Sequence, residues 1–246
     1  EEAGLLDYSL IREEAMHFAR HGFIAISIDY RLCRTCFALP PAFVVQDAIQ
    51  DAKSAVRFIV KNADTWGVDK HRIVGFGDSA GAIILTTMNY VLDPGSTEQG
   101  VDPNAEYPSN ISAVAGIASA FWPMVPHVFL QNHKRIPLTP WYALVIDSDY
   151  AVPVILSAFT YSFFLIEGIE EQGKWAMQFV TDGFFNKHVK WDARTRTRYR
   201  PSIMRFYLKA LDLDGDKCQS EALLSSTPNI SDKTGENVDD ANAKYV

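Results

Sequence analysis

No stretch of this chain approaches the ~20 consecutive apolar residues of a membrane-spanning helix, and its longest apolar runs are broken at Pro123, Pro126 and Pro153. No membrane span is expected. Cysteine is scarce: there are three, so the Cys33-x-x-Cys36 pair has no second pair with which to build a four-thiolate zinc site. Arg34 and Thr35 between the two thiols, in a loop, do not match the helix start of a thioredoxin-type redox pair. Basic residues are the scarcer charge, with 23 Lys and Arg against 30 Asp and Glu and a net charge of −7, which leaves no basic footprint for a phosphate backbone. Nucleic acid is therefore not an expected partner. The first residue is Glu1, and neither a charged leader nor an apolar signal core follows it. Processing or truncation upstream is the expectation. Localisation, cytoplasmic or secreted, stays open: Asn110-Ile-Ser112 and Asn229-Ile-Ser231 fit the glycosylation pattern, which is too short to decide it.

What is present is ordinary for a folded domain. The chain has 246 residues, 48% hydrophobic and 22% charged, enough for a core without disulfide or metal staples. Leu6 to His21 reads as a helix closed by Gly22. Phe23-Ile-Ala-Ile-Ser-Ile-Asp29 is short, β-branched and almost continuously apolar, as expected of a strand buried on both faces of a parallel sheet. After Pro40-Pro41, the apolar positions from Val44 to Asn62 recur at three- and four-residue steps, the spacing of a long amphipathic helix. Further strands are expected at Arg72 to Gly77, Ala113 to Ser119, Trp141 to Ile146 and Ala176 to Val180. Helices are expected at Ala80 to Tyr90, Val154 to Gly168 and Arg200 to Leu211. This alternation predicts a three-layer α/β/α sandwich around a mostly parallel sheet. Residues 1–215 form the expected domain; residues 216–246 are polar, with too little apolar surface to offset their ordering, and are expected to be a disordered tail. Asp212-x-Asp214-Gly215-Asp216 has its glycine misplaced for an EF-hand, and no metal-ligand cluster or cofactor motif emerges.

The chemistry concentrates at Gly77-Asp78-Ser79-Ala80-Gly81, a Gly-x-Ser-x-Gly pattern set between an apolar strand and an apolar helix. In such a nucleophile elbow the serine occupies a strained turn, and Gly77 and Gly81 are expected to let strand and helix approach. The Ala80 N–H, at the helix start, would face the oxyanion formed when Ser79 attacks an acyl carbonyl. A serine needs a base and an orienting acid, and in this arrangement they follow in the order Ser, acid, His. Asp147 and Asp149 both follow a strand at its carboxyl end, where open α/β sheets place their sites; either could instead cap the helix that starts near Pro153. His188 is the one histidine after them. His127 and His133 precede the acid in a segment with Phe121, Trp122 and Phe129 and read as structural or covering residues. Asp29, Asp47 and Asp51 read as members of a hydrogen-bond network around Tyr30 and Arg31.

Taken together, these stretches resemble the carboxylesterase and acetyl-esterase branch of the α/β-hydrolase superfamily. The resemblance covers most of residues 13–211 and rests on Phe18 to Arg31 with its Asp-Tyr-Arg turn, Asp47 to Asn62, Gly67-Val-Asp-Lys-His-Arg-Ile73 and the elbow. It implies a serine ester hydrolase acting on a small-molecule ester, without cofactor. Asp149-x-x-Val152-Pro153 matches the family's acid motif, so the resemblance selects Asp149 over Asp147. His188-Val-x-Trp191 resembles one variant of its base motif, and Asp182-Gly-Phe-Phe-Asn186 another with Asp in the histidine's place. The family's His-Gly-Gly-Gly oxyanion loop has no counterpart in these 246 residues, so the N-terminal strands and part of the oxyanion hole are expected to be missing, leaving a sheet of five or six strands. That absence also frames the alternative, a catalytically impaired hydrolase-fold binding module. A serine peptidase of the same fold would need a gating domain that this length does not hold.

Overall fold

The computed structural model describes residues 8–32, 41–89, 96–97, 100–119, 138–146, 166, 168–174, 176–181 and 191–213. The chain begins with α1 (Tyr8–Arg20), α2 (Pro41–Lys61) and a single turn, α3 (Ala63–Trp66). Then come β1 (Val74–Asp78), α4 (Ala80–Met88), a two-residue hairpin of β2 (Ser96–Thr97) and β3 (Gly100–Val101), β4 (Ala113–Ile117), β5 (Trp141–Ile146), β6 (Ala176–Thr181) and α5 (Ala193–Ala210).

Four strands form one sheet in the order β1-β4-β5-β6, with every pairing parallel. All five residues of β4 are buried, which requires cover on both faces and explains its unbroken apolar sequence. The pleat divides the core. Val114, Trp141 and Ala143 face a cluster with Ala52, Val56, Ile84 and Met88 of α2 and α4. Ala113, Ala115, Ile117, Tyr142 and Leu144 face a second cluster with Ile203, Phe206 and Tyr207 of α5, onto which Phe18 of α1 packs. Helices on two faces of a parallel sheet give the three-layer sandwich that the alternating pattern predicts.

The glycines of β1 set how near α4 lies. A Cβ at Gly75 would stand 2.7 Å from Ile111 Cδ1, and one at Gly77 would stand 2.5 Å from the Gly81 carbonyl carbon and 2.6 Å from the Ala82 nitrogen. At Gly81 no described atom lies within 4 Å of such a Cβ. Among the described residues, the close approach expected of both elbow glycines is seen at Gly77, which points its missing side chain into the backbone of α4.

Charged pairs tie distant segments together. Arg31 donates its backbone N–H to Asp51 Oδ2 at 2.7 Å and its Nε–H to both Asp51 oxygens, and pairs with Asp47 at 3.4 Å; this is the network expected around Arg31. Arg57 and Asp102 form a buried pair at 2.8 Å, and Asp102 also accepts the Asn104 N–H. On the opposite face α1 is latched to α5 by Glu13 with Arg196 and Glu14 with Arg200.

Three expectations need correction. Phe23 to Asp29 is not a strand: it runs as irregular chain, with Ile24 54% and Ile26 44% exposed. A strand exists through its ladder, and among the described residues no strand pairs with this segment, so only Phe23, Ile28 and Tyr30 reach the core clusters. α5 starts at Ala193 rather than Arg200, because Asp192 caps it, accepting the Thr195 N–H at 3.0 Å. α2 starts at Pro41, since proline fits a first helical turn. The expected helix at 154–168 and the tail from 216 lie outside the described residues, apart from Ile166 and Gly168.

Candidate active site

β1 delivers the chain to the carboxyl edge of the sheet, and α4 leaves from there. Between them stands Ser79, with φ 51° and ψ −115°, a backbone conformation that costs a non-glycine residue about 1–3 kcal/mol. Ser79 is held there from two sides. Its N–H donates to the Ile117 carbonyl at the end of β4 at 2.8 Å, and its own carbonyl accepts the Ile83 N–H at 3.1 Å. Its hydroxyl does not cap α4, although serine at a helix start ordinarily does so. The Ala80 N–H opens the helix at its positive end.

The turn after β4 lies beside this one. Ala118, with φ 51°, donates its N–H to the Leu144 carbonyl at 2.8 Å. Ser119 follows, 4% exposed, with its Oγ 3.1 Å from Thr86 Oγ1, which also accepts the Trp141 Nε1–H at 3.2 Å. Sequence reasoning missed this group; the available signal was Gly116, whose position would put a Cβ 2.6 Å from Ser119 Oγ. On the other face Tyr207 donates its hydroxyl to the Gly75 carbonyl at 2.7 Å, and burial pushes its phenol up out of the titrating range.

Of the expected site residues, the structure describes Gly77, Asp78, Ser79, Ala80 and Gly81. Asp147, Asp149, His188, His127, His133, Asp182, Cys33 and Cys36 lie outside the described residues. Trp191, three residues after His188, is buried with its ring 5.5 Å from that of Phe76 on β1. Among the described residues no group of three or more His, Cys, Asp or Glu could hold a metal, and no helix is long and apolar enough to cross a membrane.

Comparison with known proteins places this architecture. The family model BD-FAE, an esterase-like α/β-hydrolase domain, matches residues 7–125. The thermophilic esterase Est2 of the planctomycete Thermogutta terrifontis superposes with a TM-score of 0.63 at 18% identity, covering 86% of this chain and 79% of that one. The chain has the α/β-hydrolase fold. The same Thermogutta esterase phosphorylated by paraoxon aligns with this chain at 19% identity and a TM-score of 0.56, over 91% and 78% of the two chains. MGS-M1, an α/β-hydrolase enzyme from a Medee basin deep-sea metagenome library, aligns at 15% identity and a TM-score of 0.52, over 82% and 77%. No curated protein matches this chain in sequence.

Proposed function

We propose that this chain hydrolyses carboxylic esters of small molecules through an acyl-enzyme on Ser79, with Asp149 and His188 completing the triad. The observation that carries the reading is the strained backbone of Ser79 at the strand-to-helix junction. A residue held at φ 51° without capping its helix has a hydroxyl kept for something other than local structure. In the proposed reaction Ser79 Oγ attacks the acyl carbon and His188 takes its proton. The Ala80 N–H stabilises the oxyanion, with the positive end of α4 behind it. Collapse of the tetrahedral intermediate breaks the ester C–O bond, and the leaving alkoxide takes the proton from His188. Water, deprotonated by the same imidazole, then releases the acid and regenerates Ser79, while Asp149 orients the ring throughout. That an esterase of the same fold is phosphorylated by paraoxon supports an organophosphate-type probe as the test.

With p-nitrophenyl acetate as substrate, Ser79→Ala is expected to lower turnover by at least about 10³-fold; unchanged turnover overturns the proposal. The second reading is a silent hydrolase-fold binding module. It predicts that a fluorophosphonate leaves Ser79 unlabelled, so covalent labelling at Ser79 decides between the two.

A further inference from the structure

Three described residues other than glycine have positive φ, and two of them, Ser79 and Ala118, stand side by side at the carboxyl edge of the sheet. One hydrogen bond joins the two turns directly, from the Ser79 N–H to the carbonyl of Ile117, the residue before Ala118. A second connection runs behind them. The reversal at Ala118 folds Ser119 back against Gly116, where its hydroxyl meets Thr86 on the buried side of α4, two helical turns beyond Ser79. Thr86 is in turn fixed to the middle of the sheet by the Trp141 indole N–H. Ser79, Ile117, Ser119 and Thr86 thus close a ring through α4: one side is a backbone hydrogen bond and the opposite side a pair of buried hydroxyls.

We propose that Thr86 and Ser119 are positioning residues for Ser79, holding α4 and the turn after β4 at the separation that keeps the Ser79 backbone strained. This rests on the esterase reading above. Neither residue touches substrate, since Thr86 and Ser119 are 0% and 4% exposed. Their effect passes through the backbone: without the hydroxyl pair, α4 can slide against β4, and the strain at Ser79 relaxes into ordinary helical geometry. Strain of this kind persists only where the surroundings over-determine it, and the hydroxyl pair is the side of the ring that side chains supply.

The test compares Thr86→Val, which keeps the shape and removes the hydroxyl, with Thr86→Ser, which keeps the hydroxyl, both in the full chain. Thr86→Val is expected to slow fluorophosphonate labelling of Ser79 at least about 10-fold, the scale of a sub-ångström misplacement of a reacting atom. Thr86→Ser should stay within about threefold of the parent. With p-nitrophenyl acetate the loss should fall on kcat, with KM unchanged. A merely structural role would lower both variants' thermal midpoints without this split. Equal labelling by Thr86→Val and the parent, or equal slowing in both variants, overturns the proposal. Should Thr86→Val not fold, Ser119→Ala removes the other hydroxyl of the pair and is read in the same way. If the parent is not labelled at Ser79, the esterase reading fails, and hydrogen exchange of the amides of residues 79–82 reads the hold separately. Faster exchange in Thr86→Val but not in Thr86→Ser supports the hold, and unchanged exchange refutes it.

Discussion

Gly77→Ala is the sharpest perturbation that the fold offers, because the atom it adds has nowhere to go. The new Cβ would lie 2.5 Å from the Gly81 carbonyl carbon, 2.6 Å from the Ala82 nitrogen and 2.7 Å from the Gly81 oxygen. All three are backbone atoms at the start of α4, so no side chain can swing aside. Carbon atoms rest at about 3.5–4.0 Å, so strand and helix must part by about 1 Å. Overpacking of this kind costs about 1–3 kcal/mol, which in a domain of this size is a fall of roughly 2–12 °C in melting temperature. The same displacement moves Ser79 and the Ala80 N–H, and a misplacement of that size is worth about 10²-fold in rate. Gly81→Ala is the internal control: its Cβ meets no described atom within 4 Å, and alanine is favoured over glycine in a helix by up to about 1 kcal/mol. Melting by circular dichroism and fluorophosphonate labelling should therefore separate two glycines that the motif treats alike. If Gly77→Ala melts within 1 °C of the parent, set against the fall expected from overpacking, and labels at the same rate, the close approach of β1 to α4 is not what holds the elbow.

Asp102→Ala takes from Arg57 the carboxylate it meets at 2.8 Å in a buried position, a loss of up to about 3 kcal/mol, read as a lower urea midpoint with unchanged slope. His17 sets an acid limit on stability. Burial first, then Arg200, His21 and Arg20, lower its pKa from 6.5 to about 4. Between those values the unfolded chain binds a proton that the folded chain refuses, so stability falls as pH drops from about 6.5 towards 4 and is indifferent to this group above that window. The full shift would be worth about 3 kcal/mol, and solvent screening of a half-buried ring reduces it to on the order of 1 kcal/mol. His17→Phe should flatten this part of a stability-versus-pH curve, and an unchanged curve would refute the assignment.

The parallel sheet was legible because β4 and β5 are buried on both faces and so carry uninterrupted apolar sequence; Trp141 to Ile146 is observed with the predicted bounds. The strand-to-helix junction at Ser79 was legible because a glycine marks the close approach there, and Gly77 faces the backbone of α4. The first seven residues of α5 were not legible. Arg194, Arg196 and Arg198 alternate with Thr and Tyr and show no helical apolar period, and the cap at Asp192 was the sole local signal. Phe23 to Ile28 failed in the opposite sense, since its composition reports a preference for pairing and cannot report whether a partner is at hand. The Ser119–Thr86–Trp141 group left no periodic trace, since its partners are 33 and 55 positions apart, and Gly116 was its one mark in the sequence.

The run from Phe23 to Ile28, exposed at residues 24–27, bears on how the protein behaves in bulk. Six residues without charge or proline, with Ile24 and Ile26 turned to solvent, have the composition of segments that stack between molecules as cross-β, and Asp29 is the first charge to interrupt them. Association through this run would make the lifetime of a solution of this protein fall with concentration, a dependence that the free energy separating folded from unfolded chain does not carry.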